Sequence, residues 1–179
     1  MTFAKYFLSI ILIAMCSSIA GAQAPAQPAP AKVGVIDSNL FGDPTNGIKK
    51  LVAALRTIEA EFKPKRDEII QLRARFDALQ QVPPNTPPAQ LATRREQAES
   101  LQIEITRKQE DARVAFTKRT AALTNPIRAS VYTALEAYTK QRGIDVLIDV
   151  SKFPEGVLIA NRSVDLTPGF IRDFNTKNP

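Results

Sequence analysis

Ten positions from Ile48 to Leu79 advance in alternating steps of three and four: Ile48, Leu51, Leu55, Ile58, Phe62, Lys65, Ile69, Leu72, Phe76 and Leu79. Only Lys65 is polar. This is the apolar seam of a coiled coil, sustained for about four and a half heptads. Such a stripe needs a partner, because a lone helix leaves it in water. A proline-rich turn, Val82-Pro83-Pro84-Asn85-Thr86-Pro87-Pro88, follows it and a second helical stretch comes next, from about Ala89 to Gln141. The pattern predicts an antiparallel helical hairpin over 47–141 with its tip at 82–88.

The two halves of the hairpin are unequal. At ~1.5 Å per residue the return helix is about 80 Å long and the outgoing one about 50 Å. The return seam (Leu91, Ala98, Leu101, Ile105, Lys108, Ala112, Ala115, Arg119, Ala122) is thin. Each missing large side chain forgoes roughly 1.5–3 kcal/mol of burial, so the arm is expected to be stiff yet able to flex. Beyond it Leu123, Ile127, Val131, Leu135 and Tyr138 form a bulky stripe, expected to pack on a body over 123–141. Asn125-Pro126 divides the two regions. Proline inside a helix removes a hydrogen bond and kinks the chain. Pro126 is either a static bend or a hinge.

Short β-rich runs flank the hairpin. Val33–Asp37 and Ile144–Asp149 read as strands, and Val157–Ala160 as a third, turned through Gly156. Gly143 suits a helix stop. Thr167-Pro168 suits an N-cap and first helical position; Phe170, Ile171 and Phe174 give that last helix an apolar face. The fold class expected is α+β: a small β body, 33–46 with 142–179, carrying a long coiled-coil arm.

The first twenty-two residues look like a secretory signal: Lys5, an apolar run from Phe7 to Met15, then Ala20-Gly21-Ala22 as the cleavage site. Residues 23–32 are a Pro/Ala linker. A membrane anchor is the competing reading, and Cys16 in a poor lipoprotein box is its variant. Cys16 is the one cysteine and there is no histidine. Cleavage after Ala22 would leave no thiol, no disulfide and no Cys/His metal site. With no glycine-rich phosphate loop either, an enzyme is the least favoured class, and no cofactor is expected. Asp37 and Asp149 are the nearest carboxylate candidates for a metal, but each ends a strand, where a turn aspartate is the plainer reading.

Charge is segregated. Residues 47–141 hold 17 Lys/Arg against 11 Asp/Glu, a net of +6, while the rest of the presumed mature chain holds 6 against 7. The clusters are Lys49-Lys50, Lys63/Lys65-Arg66, Arg73/Arg75, Arg94-Arg95, Arg107-Lys108 and Lys118-Arg119. Taken singly, each reads as a solvated helix face; taken together, they predict attraction to an acidic partner. Tryptophan is absent and the arm's aromatics are scattered, so stacking platforms for nucleic acid are missing. No nucleic acid is expected.

Four segments then resemble the Skp/OmpH family of periplasmic chaperones: Val33-Gly34-Val35-Ile36-Asp37; the charged heptad region; Leu123-Thr124-Asn125-Pro126-Ile127 with Ala134-Leu135 and Lys140 to Asp149; and Ser163 to Pro168 with Ile171. The stretch Gly143-Ile144-Asp145-Val146-Leu147-Ile148-Asp149 is the most specific part. The likeness covers nearly all of the presumed mature chain; the proline-rich tip departs from it. It implies a periplasmic homotrimer whose subunits join strands through residues such as Val33, Val35, Val146, Ile148, Val157 and Ile159. It also implies three arms around a cavity that holds unfolded outer-membrane proteins without ATP. The competing functions are an envelope spacer or adaptor and a binder of anionic lipid such as lipopolysaccharide.

Overall fold

The computed structural model describes residues 30–153, 156 and 161–179. Strand β1 (Val33–Ile36) opens the body and leads through a 3-10 turn (Ser38–Gly42) into helix α1 (Lys49–Gln80). Helix α2 (Pro88–Arg142) returns and feeds strand β2 (Val146–Asp149), a second 3-10 turn (Val150–Lys152), and finally helix α3 (Thr167–Lys177). This is the α+β architecture expected. The 32 and 55 residues of α1 and α2 correspond to about 48 and 82 Å of helix.

β1 and β2 run parallel, with Val33 opposite Val146 and Ile36 opposite Asp149. A parallel pair needs a long crossover, and here the whole arm is that crossover. The strand expected from Ile144 starts two residues later, because Ile144 belongs to the helix cap. Gly143 sits left-handed at φ 61°, and Ile144 N–H reaches back to the Thr139 carbonyl at 3.1 Å. Gly143, not Gly156, is the glycine with positive φ among the described residues. The proposed third strand, with Val157 and Ile159, lies outside the described residues. β1 is paired on both sides. Val35 N–H donates to the Val164 carbonyl and the Val35 carbonyl accepts from Leu166 N–H, both at 2.9 Å, so the central residue of β1 has neighbours on both sides.

The core gathers Ile36, Phe41, Ile48, Val131, Tyr138, Phe170, Ile171 and Phe174. Phe170 is its hub, with ring centroids 5.6 Å from Phe41, 5.5 Å from Tyr138 and 5.9 Å from Phe174. The lower part of α2 thus packs on the elements from both ends of the chain. Thr167 does not cap α3. Its hydroxyl accepts from Asp37 N–H at 2.9 Å, closing the end of β1, while Asp165 accepts from Thr167 N–H at 2.9 Å. The sequence signal marked a helix start correctly but assigned the hydroxyl to the wrong donor.

Asp37 and Asp149 close turns. Asp37 accepts from Asn39 N–H at 2.9 Å; Asp149 accepts from the N–H groups of Ser38 and Ser151, both at 3.1 Å, and from the Ser151 hydroxyl at 2.7 Å. Burial by itself pushes the Asp149 carboxyl up, but the donors of Ser38 and Ser151 together outweigh it and hold it below its ordinary value. No grouping of His, Cys, Asp and Glu suited to a metal occurs among the described residues. Among them no helix is long and apolar enough to cross a membrane.

Candidate functional site

The arm forms because α1 and α2 share a seam, and its register is legible in cross-helix contacts. Arg119 holds Glu61 in a two-pronged pair at 2.7 and 2.8 Å, Phe62 meets Phe116 edge-on at 5.2 Å, and Lys108 reaches Glu68 at 2.8 Å. Ile58, Leu72 and Ile105 are buried in it. Seam residues leave it on both helices. Leu55 is 40% exposed and its place is taken by Val52. On α2 Arg119 and Ala122 face outward, and Thr120 and Thr124 turn inward instead. Threonine can face the seam there by returning its hydroxyl to the helix: Thr124 donates to the Thr120 carbonyl at 2.9 Å. The Thr120 hydroxyl itself is buried without a partner.

The tip is built by its prolines. Asn85 takes φ 67°, a value asparagine tolerates better than most residues. Thr86 donates to the Pro83 carbonyl at 2.7 Å, and Pro88 begins α2, where its missing N–H costs nothing. Arg94 closes the end of α1. Its guanidinium donates to the carbonyls of Ala78 at 2.8 Å, Leu79 at 3.1 Å and Gln81 at 3.1 Å. Helix C-termini carry unpaired carbonyls and a partial negative charge, and an arginine from the opposite helix answers both.

The structure sorts the thirteen basic residues singled out in the sequence. Some cations are committed within the arm. Lys63 pairs with Asp67 at 2.6 Å, Arg107 with Asp111 at 3.8 Å, Lys108 with Glu68, Arg119 with Glu61, and Arg94 serves as the cap just described. The Arg119 hydrogen bond holds the Glu61 carboxyl below its usual range, and the Glu68 hydrogen bond raises Lys108. Others stand in none of the ion pairs formed among the described residues: Lys49 and Lys50 at the arm base, Lys65, Arg66, Arg73 and Arg75 along α1, and Arg95 and Lys118 on α2. Lys65 lies 4.9 Å from the Phe62 ring centroid, and Arg73 reaches the Gln109 amide oxygen at 2.6 Å. An amide accepts the hydrogen bond but leaves the charge uncompensated.

Of the strand residues, Val35 is 7% exposed and Val33 and Val146 are 44% and 47% exposed, while Ile148 is half-buried. Val157 and Ile159 lie outside the described residues. Pro126 is exposed within α2, which runs on through it; Ser130 donates to its carbonyl at 3.1 Å. Sequence reasoning missed a second interior proline, Pro64 in α1. Its signal was plain, a proline in mid-heptad, but the adjoining Lys63 and Lys65-Arg66 drew the reading toward charge.

A small α+β body carrying a two-helix arm with a basic surface defines a binding scaffold. A sequence model of the family described as Outer membrane protein (OmpH-like) matches residues 32–173. The chain belongs to this OmpH-like family. No curated protein matches it. Among solved structures it is similar to an OmpH-like chain from Caulobacter crescentus CB15, proposed to be an outer membrane chaperone. The two are 21% identical with a TM-score of 0.44, over 87% of this chain and 90% of that one.

Proposed function

We propose that the protein is a periplasmic holdase chaperone: it binds unfolded outer-membrane proteins between basic helical arms and keeps them from aggregating, without ATP. The carrying observation is the family membership over residues 32–173 together with a basic excess that resides on the arm. A net +6 over residues 47–141 attracts acidic chains from a distance. Weak apolar contacts such as Ile70 and Ile103, 56% and 70% exposed, then retain them. Binding the unfolded client lowers its free concentration, and aggregation falls by mass action. In this reading the subunits form a homotrimer through the strands of the body, and the mature chain begins near Gln23 after export.

The test is aggregation of a urea-denatured outer-membrane β-barrel protein diluted into buffer, followed by light scattering. The chaperone reading predicts that a stoichiometric amount of the mature protein suppresses the scattering in the absence of nucleotide. Scattering equal to that of a buffer control sinks it and leaves the spacer or the lipid binder.

A further inference from the structure

The face of α1 between Phe62 and Arg73 differs from the rest of the arm. Arg66, Ile70 and Arg73 stand at i, i+4 and i+7 and so form one stripe along the helix. Phe62, Lys65 and Ile69 complete a shallow groove of about 240 Å³ with them. Ile70 is 56% exposed, a large apolar side chain set between two cations. Three carboxylates of this stretch are paired elsewhere: Glu61 with Arg119, Asp67 with Lys63 and Glu68 with Lys108. Asp77, one turn beyond Arg73, is the acidic residue on the same helix face. Lys65, Arg66 and Arg73 stand in none of the ion pairs formed among the described residues. The larger groove at the tip differs: Arg94 on its wall is occupied by the carbonyls of α1, and Arg95 shares that wall with the carboxylate of Glu99 one turn away.

We infer that this stripe is the docking surface for an extended polypeptide segment that presents carboxylate, apolar and carboxylate side chains in succession on one face. The inference rests on the chaperone reading for the identity of the polypeptide, and on charge complementarity for the chemistry. The spacings agree. Seven helical residues from Arg66 to Arg73 cover about 10.5 Å, and same-face positions i to i+4 of an extended chain cover about 13 Å, a difference within the reach of two arginine side chains. An extended chain exposes such a face wherever acidic and apolar residues alternate in steps of two. The arm would thus select for alternation as well as for net charge.

The probe is a set of three fluorescein-labelled peptides with the cores Glu-Thr-Val-Thr-Glu, Glu-Thr-Ser-Thr-Glu and Lys-Thr-Val-Thr-Lys. Binding to the full mature chain is measured by anisotropy at low salt. The first peptide is expected to bind at least about fivefold more tightly than either of the others. Arg66→Glu with Arg73→Glu is expected to weaken it about tenfold, or about 1.4 kcal/mol. Ile70→Ser, at an exposed position, is expected to weaken it about threefold. The matched reversal Arg128→Glu with Arg172→Glu is expected to stay within about twofold, since screening limits distant charges. Equal binding of the three peptides, or equal loss in the matched reversal, overturns the inference. The peptide comparison on the unaltered chain decides even where a variant fails to fold. Aggregation suppression by the unaltered chain separates the outcomes. Suppression with no peptide discrimination removes the stripe and keeps the chaperone; discrimination without suppression does the reverse.

Discussion

At the scale of single residues, the close backbone approach at Gly47 and the satisfied carboxylate of Asp149 each leave a measurable signature. A Cβ added at Gly47 would stand 2.5 Å from the Asp43 carbonyl oxygen and 2.6 Å from that of Phe41. The turn into α1 cannot yield, because Gly47 N–H donates to Asp43 and Ile48 N–H to Phe41. Gly47→Ala is expected to destabilise the chain by about 2–3 kcal/mol, measured by urea unfolding; a loss below about 0.5 kcal/mol contradicts the packing argument. Asp149 gives a pH signature. Its carboxyl is depressed in the folded chain, so its contribution is present above the unfolded value, about 3.9, and disappears as pH falls through the folded value. Asp149→Asn is expected to cost about 1 kcal/mol at pH 7. The gap from the parent should begin to narrow below about pH 4 and go on narrowing as pH falls further. A gap that does not narrow at all below about pH 4 refutes the assignment. Neither effect was readable from the sequence beyond an aspartate at a strand end, since both depend on which backbone groups meet in space.

At the scale of elements, the arm carries two helix-interior prolines at different heights. The pairs Glu61–Arg119 and Glu68–Lys108 place Pro64 opposite residues near 114 and Pro126 opposite residues near 52. Each proline removes one helical hydrogen bond, and staggering spares both helices from being weak at one level. The static bend or hinge read at Pro126 thus has a counterpart at Pro64. If they act as hinges, Pro126→Ala and Pro64→Ala should each narrow the spread of tip-to-body distances, measured by spin labels at Thr86 and Arg172. The double variant should narrow it most. Distributions unchanged in all three variants would mark both prolines as static bends. The hairpin, its tip and the stop at Gly143 were legible because heptads, prolines and a C-terminal glycine act locally. The exchange of Leu55 for Val52, and of Ala122 for Thr124, was not. An ideal helix drifts by about 20° per heptad against a 3.5-residue repeat, and the body captures whichever residue faces it. The role of Thr167 was hidden because the N–H that its hydroxyl accepts from, that of Asp37, lies 130 residues away in the sequence.

At the scale of the whole molecule, the charge segregation counted in the sequence persists, but the geometry divides it into internal and free parts. Lys63, Lys108, Arg107 and Arg119 neutralise carboxylates of the arm itself, and exposed pairs of this kind add little to stability. Lys108–Glu68 and Arg119–Glu61 cross between the helices and mark their register, while Lys63–Asp67 and Arg107–Asp111 each lie within one helix. The cations left over set the long-range field, which a count by sequence could not separate from the paired ones. Client association by stopped flow is therefore expected to slow by about tenfold or more between 20 and 300 mM salt, while dissociation changes less. An association rate independent of salt removes steering from the account.

The central claim is that oligomeric arms enclose an unfolded chain, and mass determination of the mature protein with and without an unfolded β-barrel client tests it most directly. The account predicts a discrete oligomer, with the family's three subunits, that gains the mass of one client when the client is present. A monomer, or an oligomer whose mass is unchanged by excess client, would contradict it.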